Sequence, residues 1–162
     1  MEHLYAPWRY NYVSDEKIKE CVFCHISKHK DDEKYEVIFY DDICYVVMNK
    51  YPYSPAHIMV VPYFHTSNVE DLEEEVWQRV SKRVKEAVKL LKEVMPCEGV
   101  NIGMNLGKAA GAGIEQHVHY HLVPRWIGDT NFITTISGTR VYPADFKAIF
   151  EKLKNNSKKY FL

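Results

Sequence analysis

Three histidines alternate with apolar or aromatic residues in one short segment of the chain. Residues 117–125 read His-Val-His-Tyr-His-Leu-Val-Pro-Arg. Because successive side chains of a β-strand point to opposite faces, this alternation predicts a strand with the imidazoles in a row on one face. At about 3.3 Å per residue, neighbouring imidazoles lie about 6–7 Å apart, so all three can act on one substrate group. Imidazole titrates near neutrality and serves as base, nucleophile or metal ligand. The three residues are His117, His119 and His121.

Size and composition narrow the class of protein that carries this strand. The 162 residues are enough for one domain with a sizeable core, and a net charge of −1 gives no electrostatic case for a nucleic-acid polymer or an anionic membrane as partner. No apolar run is long enough to span a bilayer, and the first residues lack the basic-then-apolar order of a signal peptide. We therefore expect a cytoplasmic protein whose four cysteines stay reduced.

Apolar periodicity predicts an α+β fold with a mainly antiparallel sheet. Apolar residues recur every three or four positions from Val69 to Met95, which predicts one long helix, with Ser67 or Asn68 as its N-cap and Pro96 just past its end. A short helix is expected at about 15–26, and Phe146, Ile149, Phe150 and Leu153 mark a C-terminal helix. Few helices separate the strands, so a parallel doubly wound sheet is not expected. Besides the histidine strand, predicted strands lie at 35–40, 43–49, 57–62, 100–105 and around 131–136.

The histidine row resembles the motif of the histidine triad (HIT) family, in which three histidines alternate with hydrophobic residues and two more hydrophobic residues follow. Residues 117–123 match it if Tyr120 counts as hydrophobic. Asn49, a proline-bearing loop and His57 resemble the family's nucleotide-binding strand–loop–strand, and Asn105-Leu-Gly107 and His65 are further matches. The resemblance covers roughly residues 20–126. It implies a single HIT domain over 1–162, with an N-terminal arm and a C-terminal helical extension.

The resemblance also implies nucleotidyl transfer on a nucleoside phosphate. His119 would attack the α-phosphorus and form a covalent nucleotidyl-imidazole intermediate, which splits a difficult displacement into two easier steps. His121 and His57 would orient His119 and help to neutralise the phosphate oxygens. Water, phosphate or another acceptor would then release the nucleotide. His117 completes the histidine group, and the nucleotide-binding residues implied are Asn49 at the ribose, Asn105, and the loop glycines Gly107, Gly111 and Gly113, which let main-chain N–H groups approach an anion.

The loop before the triad departs from the family pattern. Several HIT proteins carry Gln or Ser there, where it can hydrogen-bond the leaving group. In this chain the nearest positions are Ala112, Gly113 and Ile114, none of which has a polar side chain. Either Glu115, Gln116 or a backbone amide takes over this role, or the preferred substrate differs.

Three further segments are similar to bacterial HIT proteins that act as diadenosine tetraphosphate phosphorylases. They are Trp8-Arg9, Pro124-Arg125-Trp126 and Asn131-Phe-Ile-Thr134. This similarity favours a dinucleoside polyphosphate as substrate. The family resemblance also implies a homodimer, with the long helix and a sheet edge near the interface.

Cys21-Val-Phe-Cys24 has the spacing with which two thiolates can bind one zinc ion. Two more ligands are needed, and the family resemblance points to His65 and His117. Such a zinc ion would be structural, holding the N-terminal segment against the sheet. His25 or His29, both expected to be exposed with His3, could replace one of these histidines. The alternative is a pair of reduced cysteines that pack as small apolar groups.

The cysteine pair also fits two patterns that the rest of the chain does not favour. Cys21 to His25 spells the c-type haem attachment pattern, but that chemistry normally needs export. A thioredoxin-like redox role would need a βαβ pattern, which does not follow here. Cys44 and Cys97 are expected to be structural.

The sequence is compatible with three functions. The first is a HIT-family nucleotidyl hydrolase or transferase, and the second is a nucleotide-binding HIT module with little or no turnover. The third is a zinc-dependent redox or structural protein, which only the cysteine pair supports. All three triad histidines are present, and recognition of ribose and base alone would not need His119, so the sequence favours the enzyme.

Overall fold

A five-stranded antiparallel sheet forms the centre of the structure, a computed structural model that describes residues 19–138 and 142–162. The strands lie side by side in the order β1-β2-β3-β5-β4, and each neighbouring pair is antiparallel. The predicted antiparallel α+β fold is therefore confirmed. The strands are β1 Val37–Tyr40, β2 Cys44–Met48, β3 Ile58–Pro62, β4 Gly99–Gly103 and β5 Tyr120–Arg125.

Helices cover the sheet. The long amphipathic helix and the C-terminal helix pack against each other and against the sheet. Within the described residues, no helix is both long and apolar enough to cross a membrane. The helices are α1 Val22–His29, α2 Asp32–Tyr35, α3 Glu74–Val94, α4 Phe132–Ser137 and α5 Phe146–Ser157, and two 3-10 turns lie at Val69–Asp71 and Lys108–Ala110.

The two faces of the sheet bury different clusters, because side chains alternate along each strand. In β2, Val46 and Met48 join the large cluster under α3 and α5, whereas Tyr45 and Val47 join a smaller cluster under α1. We call these the α3 face and the α1 face. Tyr120 and Leu122 of β5 belong to the α3-face cluster. The alternation therefore places the histidines on the α1 face.

The start of the long helix differs from the prediction. Residues Val69–Asp71 form a separate 3-10 turn, and Leu72 is extended with φ −71° and ψ 129°, so α3 begins only at Glu74. Asn68 bonds the Asp71 carboxylate through its side chain (3.0 Å) and so stabilises the preceding turn instead of capping α3. The apolar period runs through both pieces, which is why the pattern alone suggests one helix.

Residues 131–136 are helical and not a strand. Asn131 caps α4, its Oδ1 accepting from the N–H of Ile133 at 3.1 Å. The β-branched residues of this segment favour a strand locally, but the described sheet gives them no neighbouring strand. The predicted helix at 15–26 is observed as Val22–His29, and its first residues fall, with Trp8-Arg9, outside the described part of the chain.

Candidate active site and metal centre

The histidine row lies at the point where the sheet ends. His121 is in β5, between Met59 of β3 and Gly103 of β4. The two preceding histidines lie just before β5, outside any strand. The ladder between β3 and β5 ends at the pair Val60–Tyr120, and two residues before Tyr120 the N–H of Val118 donates to the carbonyl of Thr66 (2.8 Å). The predicted strand at 117–125 is therefore shorter, although its alternation is retained.

The buried imidazole of His119 has a defined tautomer. Its Nδ1 lies 2.8 Å from the main-chain carbonyl oxygen of His117. A carbonyl oxygen only accepts, so Nδ1 carries the proton and Nε2 keeps its lone pair. Burial lowers the pKa of His119, and its hydrogen bond to the His117 carbonyl opposes that shift. His119 is therefore a neutral imidazole with Nε2 available as a nucleophile.

His121 lies at the end of a chain of hydrogen bonds. The N–H of Tyr53 donates to Nδ1 of His57 at 3.1 Å, so the proton of His57 is on Nε2. The Nε2–H of His57 donates to Nδ1 of His121 at 3.0 Å, and the proton of His121 is therefore on its Nε2. The rings of His119 and His121 are 4.7 Å apart between centroids. A ring with a bare Nε2 and a ring with an Nε2–H are therefore neighbours.

Burial keeps this chain of histidines neutral. Burial, with nearby His121 and His119, lowers the pKa of His57 to about 3. Burial, with nearby His119, lowers the pKa of His121 to about 4. Both values lie well below neutrality, so the tautomers set by the hydrogen bonds are the forms present at pH 7.

His117 presents the opposite ring nitrogen to a second cluster. Its Nε2–H donates to the carbonyl of Pro62 at 2.9 Å, which leaves Nδ1 with its lone pair. Around that atom lie Cys21 Sγ at 3.4 Å, Cys24 Sγ at 3.7 Å and His65 Nδ1 at 3.2 Å. Cys24 Sγ and His65 Nδ1 are 3.3 Å apart. We call these four residues the metal group.

The donor atoms of the metal group suit zinc. All four lie within 4.8 Å of one another. A tetrahedral zinc ion with the usual Zn–N and Zn–S lengths separates its ligand atoms by about 3.3–3.8 Å. Four of the six pairs of ligand atoms are 3.2–3.7 Å apart, inside that range or within about 0.1 Å of it. Two thiols and two imidazoles are also a ligand set typical of structural zinc sites.

Asn49 lies beside the buried His57. The Nδ2 of its side chain is 3.3 Å and 3.4 Å from the two ring nitrogens of His57, and its Oδ1 accepts from the N–H of Tyr51 at 2.9 Å. The structure thus brings Asn49 to the His57–His121 end of the row. Asn105 is half-buried shortly after β4, and its role at a nucleotide stays a prediction.

The glycine loop forms a tight turn. Gly107 and Gly111 have φ of +76° and +85°, which side chains with a Cβ rarely adopt. The N–H groups of Ala110, Gly111 and Ala112 donate to carbonyls of the same loop. An anion bound here would therefore take its donors from the rest of the loop, for which Gly107 and Gly113 are the candidates among the predicted glycines. Space around Gly113 is open, since an added Cβ meets nothing within 4 Å.

The residues just before the triad separate into an anchored and an exposed part. Ile114 packs against the α1-face cluster, so its apolar side chain has a structural role. Glu115 and Gln116 are exposed, and the Glu115 carboxylate lies 3.6 Å from the ammonium of Lys108. With Ser67, Asn68, Glu70, Leu106 and Gly107, they line a surface depression of about 580 Å³.

The cysteines and histidines outside the two clusters differ in burial. Cys44 and Cys97 are buried free thiols outside the metal group. His25 is half-buried, unlike its prediction, because it bonds Glu20 and the hydroxyl of Tyr35, each at 2.9 Å. His29 is exposed. His3 lies outside the described residues.

Sequence reasoning missed two residues that contact the histidines. Tyr53 contributes the N–H that sets the tautomer of His57, and its ring stacks on His121 at 5.9 Å. Phe23 packs its ring on His119 at 4.8 Å between centroids. No periodic signal marks either residue, because both contacts depend on how a loop and α1 pack over the sheet. The position of Phe23 between two predicted ligands was the available clue.

Comparison with known proteins identifies the class. The HIT domain matches residues 30–126. The AP-4-A phosphorylase of Mycobacterium tuberculosis is 37% identical over 152 residues, which cover 88% of this chain and 77% of that protein. The bis(5'-adenosyl)-triphosphatase of Dictyostelium discoideum is 28% identical over 90 residues, covering 56% and 60%. The chain belongs to the HIT family.

A solved structure agrees in fold. The zinc-bound histidine triad family protein of Mycobacterium smegmatis has a TM-score of 0.71 and 26% identity, over 86% of this chain and 94% of that one. The fold expected from the histidine row is therefore the fold of the family.

Proposed function

We propose that this protein is a nucleotidyl hydrolase or transferase that acts on nucleoside phosphates or dinucleoside polyphosphates. The observation that carries the proposal is the pair of tautomers on two neighbouring rings, with a bare Nε2 on His119 and an Nε2–H on His121. In-line transfer needs a neutral nucleophile and a donor for the negative charge on the phosphoryl group, and the two rings supply both.

The proposed reaction has two steps. Nε2 of His119 forms a bond to the α-phosphorus while the bond from phosphorus to the leaving-group oxygen breaks. The Nε2–H of His121 stabilises the developing negative charge, and Asn49 binds the ribose. In the second step, the oxygen of water or phosphate attacks the same phosphorus, the phosphorus–nitrogen bond breaks, and His119 is restored.

For the substrate we propose a dinucleoside polyphosphate with phosphate as acceptor. The support is the 37% identity to an AP-4-A phosphorylase over 88% of this chain. Transfer of an adenylyl group to phosphate yields ADP, whereas transfer to water yields AMP. The acceptor can therefore be read from the product.

The experiment is incubation with diadenosine tetraphosphate, with and without phosphate, and separation of the nucleotides formed. We expect ADP only when phosphate is present. His119→Asn should form neither product, whereas His29→Asn, at an exposed histidine, should match the wild type. A wild type that binds the substrate without turnover would instead support the nucleotide-binding module.

We further propose that the metal group holds a structural zinc ion. Cys21, Cys24, His65 and His117 would bind it, and the ion would supply a cross-link between α1, the segment after β3 and the segment before β5. Metal analysis of freshly purified protein should find about one zinc per chain in the wild type and in Cys97→Ser, and little in Cys21→Ser. Wild-type protein without zinc would contradict this proposal.

The homodimer, the single domain over 1–162 and the cytoplasmic location also stay proposals. For the dimer, the support is β4, which pairs only with β5 among the described strands and leaves Asn101, Ile102 and Gly103 exposed at the sheet edge. Such an edge can pair with a second copy. Light scattering of the purified chain should give twice the monomer mass, and Ile102→Lys should reduce it to the monomer mass.

A further inference from the structure

Phe23 is a buried aromatic residue in contact with two triad histidines. Its side chain is 1% exposed. Its ring lies 4.8 Å from that of His119 at an angle of 55°, and 5.5 Å from that of His117 at 76°. These are the tilted and edge-on arrangements that aromatic rings prefer. The ring therefore forms one wall of the space in which the imidazole of His119 lies.

Phe23 lies in the chain between two members of the metal group. Cys21 is two residues before it and Cys24 is the next residue, so both share its helical turn. Its own carbonyl accepts from the hydroxyl of the buried Tyr45 at 2.9 Å. The hydrogen bond holds the backbone of Phe23 and burial holds its side chain. The ring therefore has little freedom to move away from His119.

A second connection joins the same two sites. His117 belongs to the metal group through its Nδ1, and its carbonyl oxygen accepts from Nδ1–H of His119. That hydrogen bond fixes the tautomer of His119 but still allows the ring to tilt about the bond direction. Two neighbouring rings limit this tilt: His121 at 4.7 Å and the buried Phe23 at 4.8 Å between centroids, of which Phe23 is the one outside the triad.

We propose that Phe23 is a positioning residue, which transmits the geometry of the metal group to the His119 imidazole and holds its Nε2 in line for attack. This inference rests on the proposed function, since it assigns His119 as the nucleophile. A misplacement of about 1 Å at the reacting atoms can cost about 10²-fold in rate. Loss of the contact should therefore lower kcat and leave the affinity for the nucleotide largely unchanged.

The experiment compares Phe23→Leu and Phe23→Ala in the full, zinc-loaded chain. We expect kcat to fall about tenfold for the leucine variant and about 10²-fold for the alanine variant, with KM within about twofold of wild type. The zinc content should stay at the wild-type level in both. Phe161→Leu is the matched control, because Phe161 is also buried (5% exposed) but stacks on Phe39 on the other face, and its kcat should not change.

A second measurement does not depend on turnover. NMR relaxation of the His119 imidazole reports how far the ring moves about its hydrogen bond. We expect a rigid ring in the wild type and motion of larger amplitude in Phe23→Ala, with Nδ1 protonated in both. If the alanine variant does not fold, Phe23→Leu carries the same comparison with a smaller effect.

Two results would overturn the inference. A raised KM with an unchanged kcat would mean that the ring serves nucleotide binding. Loss of zinc in both variants would mean that Phe23 only stabilises the metal group. A wild type inactive on every nucleotide would refute the proposed function, and the NMR comparison would then decide the positioning role by itself.

Discussion

The two ends of the histidine row use the same side chain in opposite ways. At one end, the Nε2–H of His117 donates a hydrogen bond to the carbonyl of Pro62, and a bare Nδ1 faces the metal group. Two residues later, the Nδ1–H of His119 donates a hydrogen bond to the carbonyl of His117, and its Nε2 stays bare. Since the residues are identical, the difference teaches that the position of one main-chain carbonyl decides which nitrogen can act.

The two ends also differ in what surrounds them. The His117 end is closed by two cysteines and a histidine, whereas the His121 end leads through His57 to the loop that carries Tyr53. A structural ion and a reacting phosphoryl group need these different surroundings: the first needs a full set of ligands, and the second needs a free nucleophile beside a donor.

The largest effect should come from removing the two imidazoles one at a time. His119→Gly should lose at least about 10³-fold in kcat, since it removes the proposed nucleophile, and free imidazole should restore part of the rate. His117→Gly should lose zinc, and imidazole should not restore its rate to a comparable extent. Steady-state assays with metal analysis check both. Equal rescue of the two variants would mean that the ends do not differ in role.

Breaking the hydrogen-bond chain should have the next largest effect. His57→Leu leaves Nδ1 of His121 without its donor, so the His121 tautomer is no longer fixed. We expect kcat to fall about 10²-fold, within the range for loss of a positioned proton donor. The zinc content should equal that of the wild type, because His57 lies at the other end of the row. Zinc loss in this variant would show that the ends are not separable.

A smaller effect is expected at the ribose. Asn49→Ala removes an amide that we assign to the sugar, and one neutral hydrogen bond is worth about 1 kcal/mol, or about fivefold. We expect KM for the nucleotide to rise by that factor while kcat stays near the wild-type value. Isothermal titration of the zinc-loaded protein with AMP should show the same factor in Kd. An unchanged KM and Kd would remove Asn49 from the binding site.

The pH dependence of stability should show the smallest change. The pKa of His57 is lowered to about 3 in the folded chain, against about 6.5 when unfolded. Below pH 6.5 the unfolded chain therefore binds a proton that the folded chain does not, so the free energy of unfolding falls as the pH falls towards 3.

Denaturant titrations of metal-free protein between pH 7 and pH 4 measure this slope. His57→Leu should show a shallower slope than the wild type. A wild-type slope in His57→Leu would mean that His57 is already charged in the folded chain.

Local sequence patterns are sufficient to predict much of the fold. The alternation at 117–122 predicted which side chains share a face, and the apolar period predicted the long helix, because both signals depend only on the geometry of the chain itself. Where the prediction was wrong, as at 131–136 and at the start of α3, the local preference was real. The presence or absence of a neighbouring strand, or one extended residue such as Leu72, decided the outcome.

The sequence by itself determined the chemical inventory of the site: three alternating imidazoles, two thiols three positions apart and a glycine loop, since residue type and spacing are written in the chain. Only the tertiary structure decided what each imidazole can do. The carbonyl of Pro62, the N–H of Tyr53 and the ring of Phe23 come from distant segments. Hydrogen bonds and packing contacts between such segments depend on the folded distances, and no spacing along the chain records them.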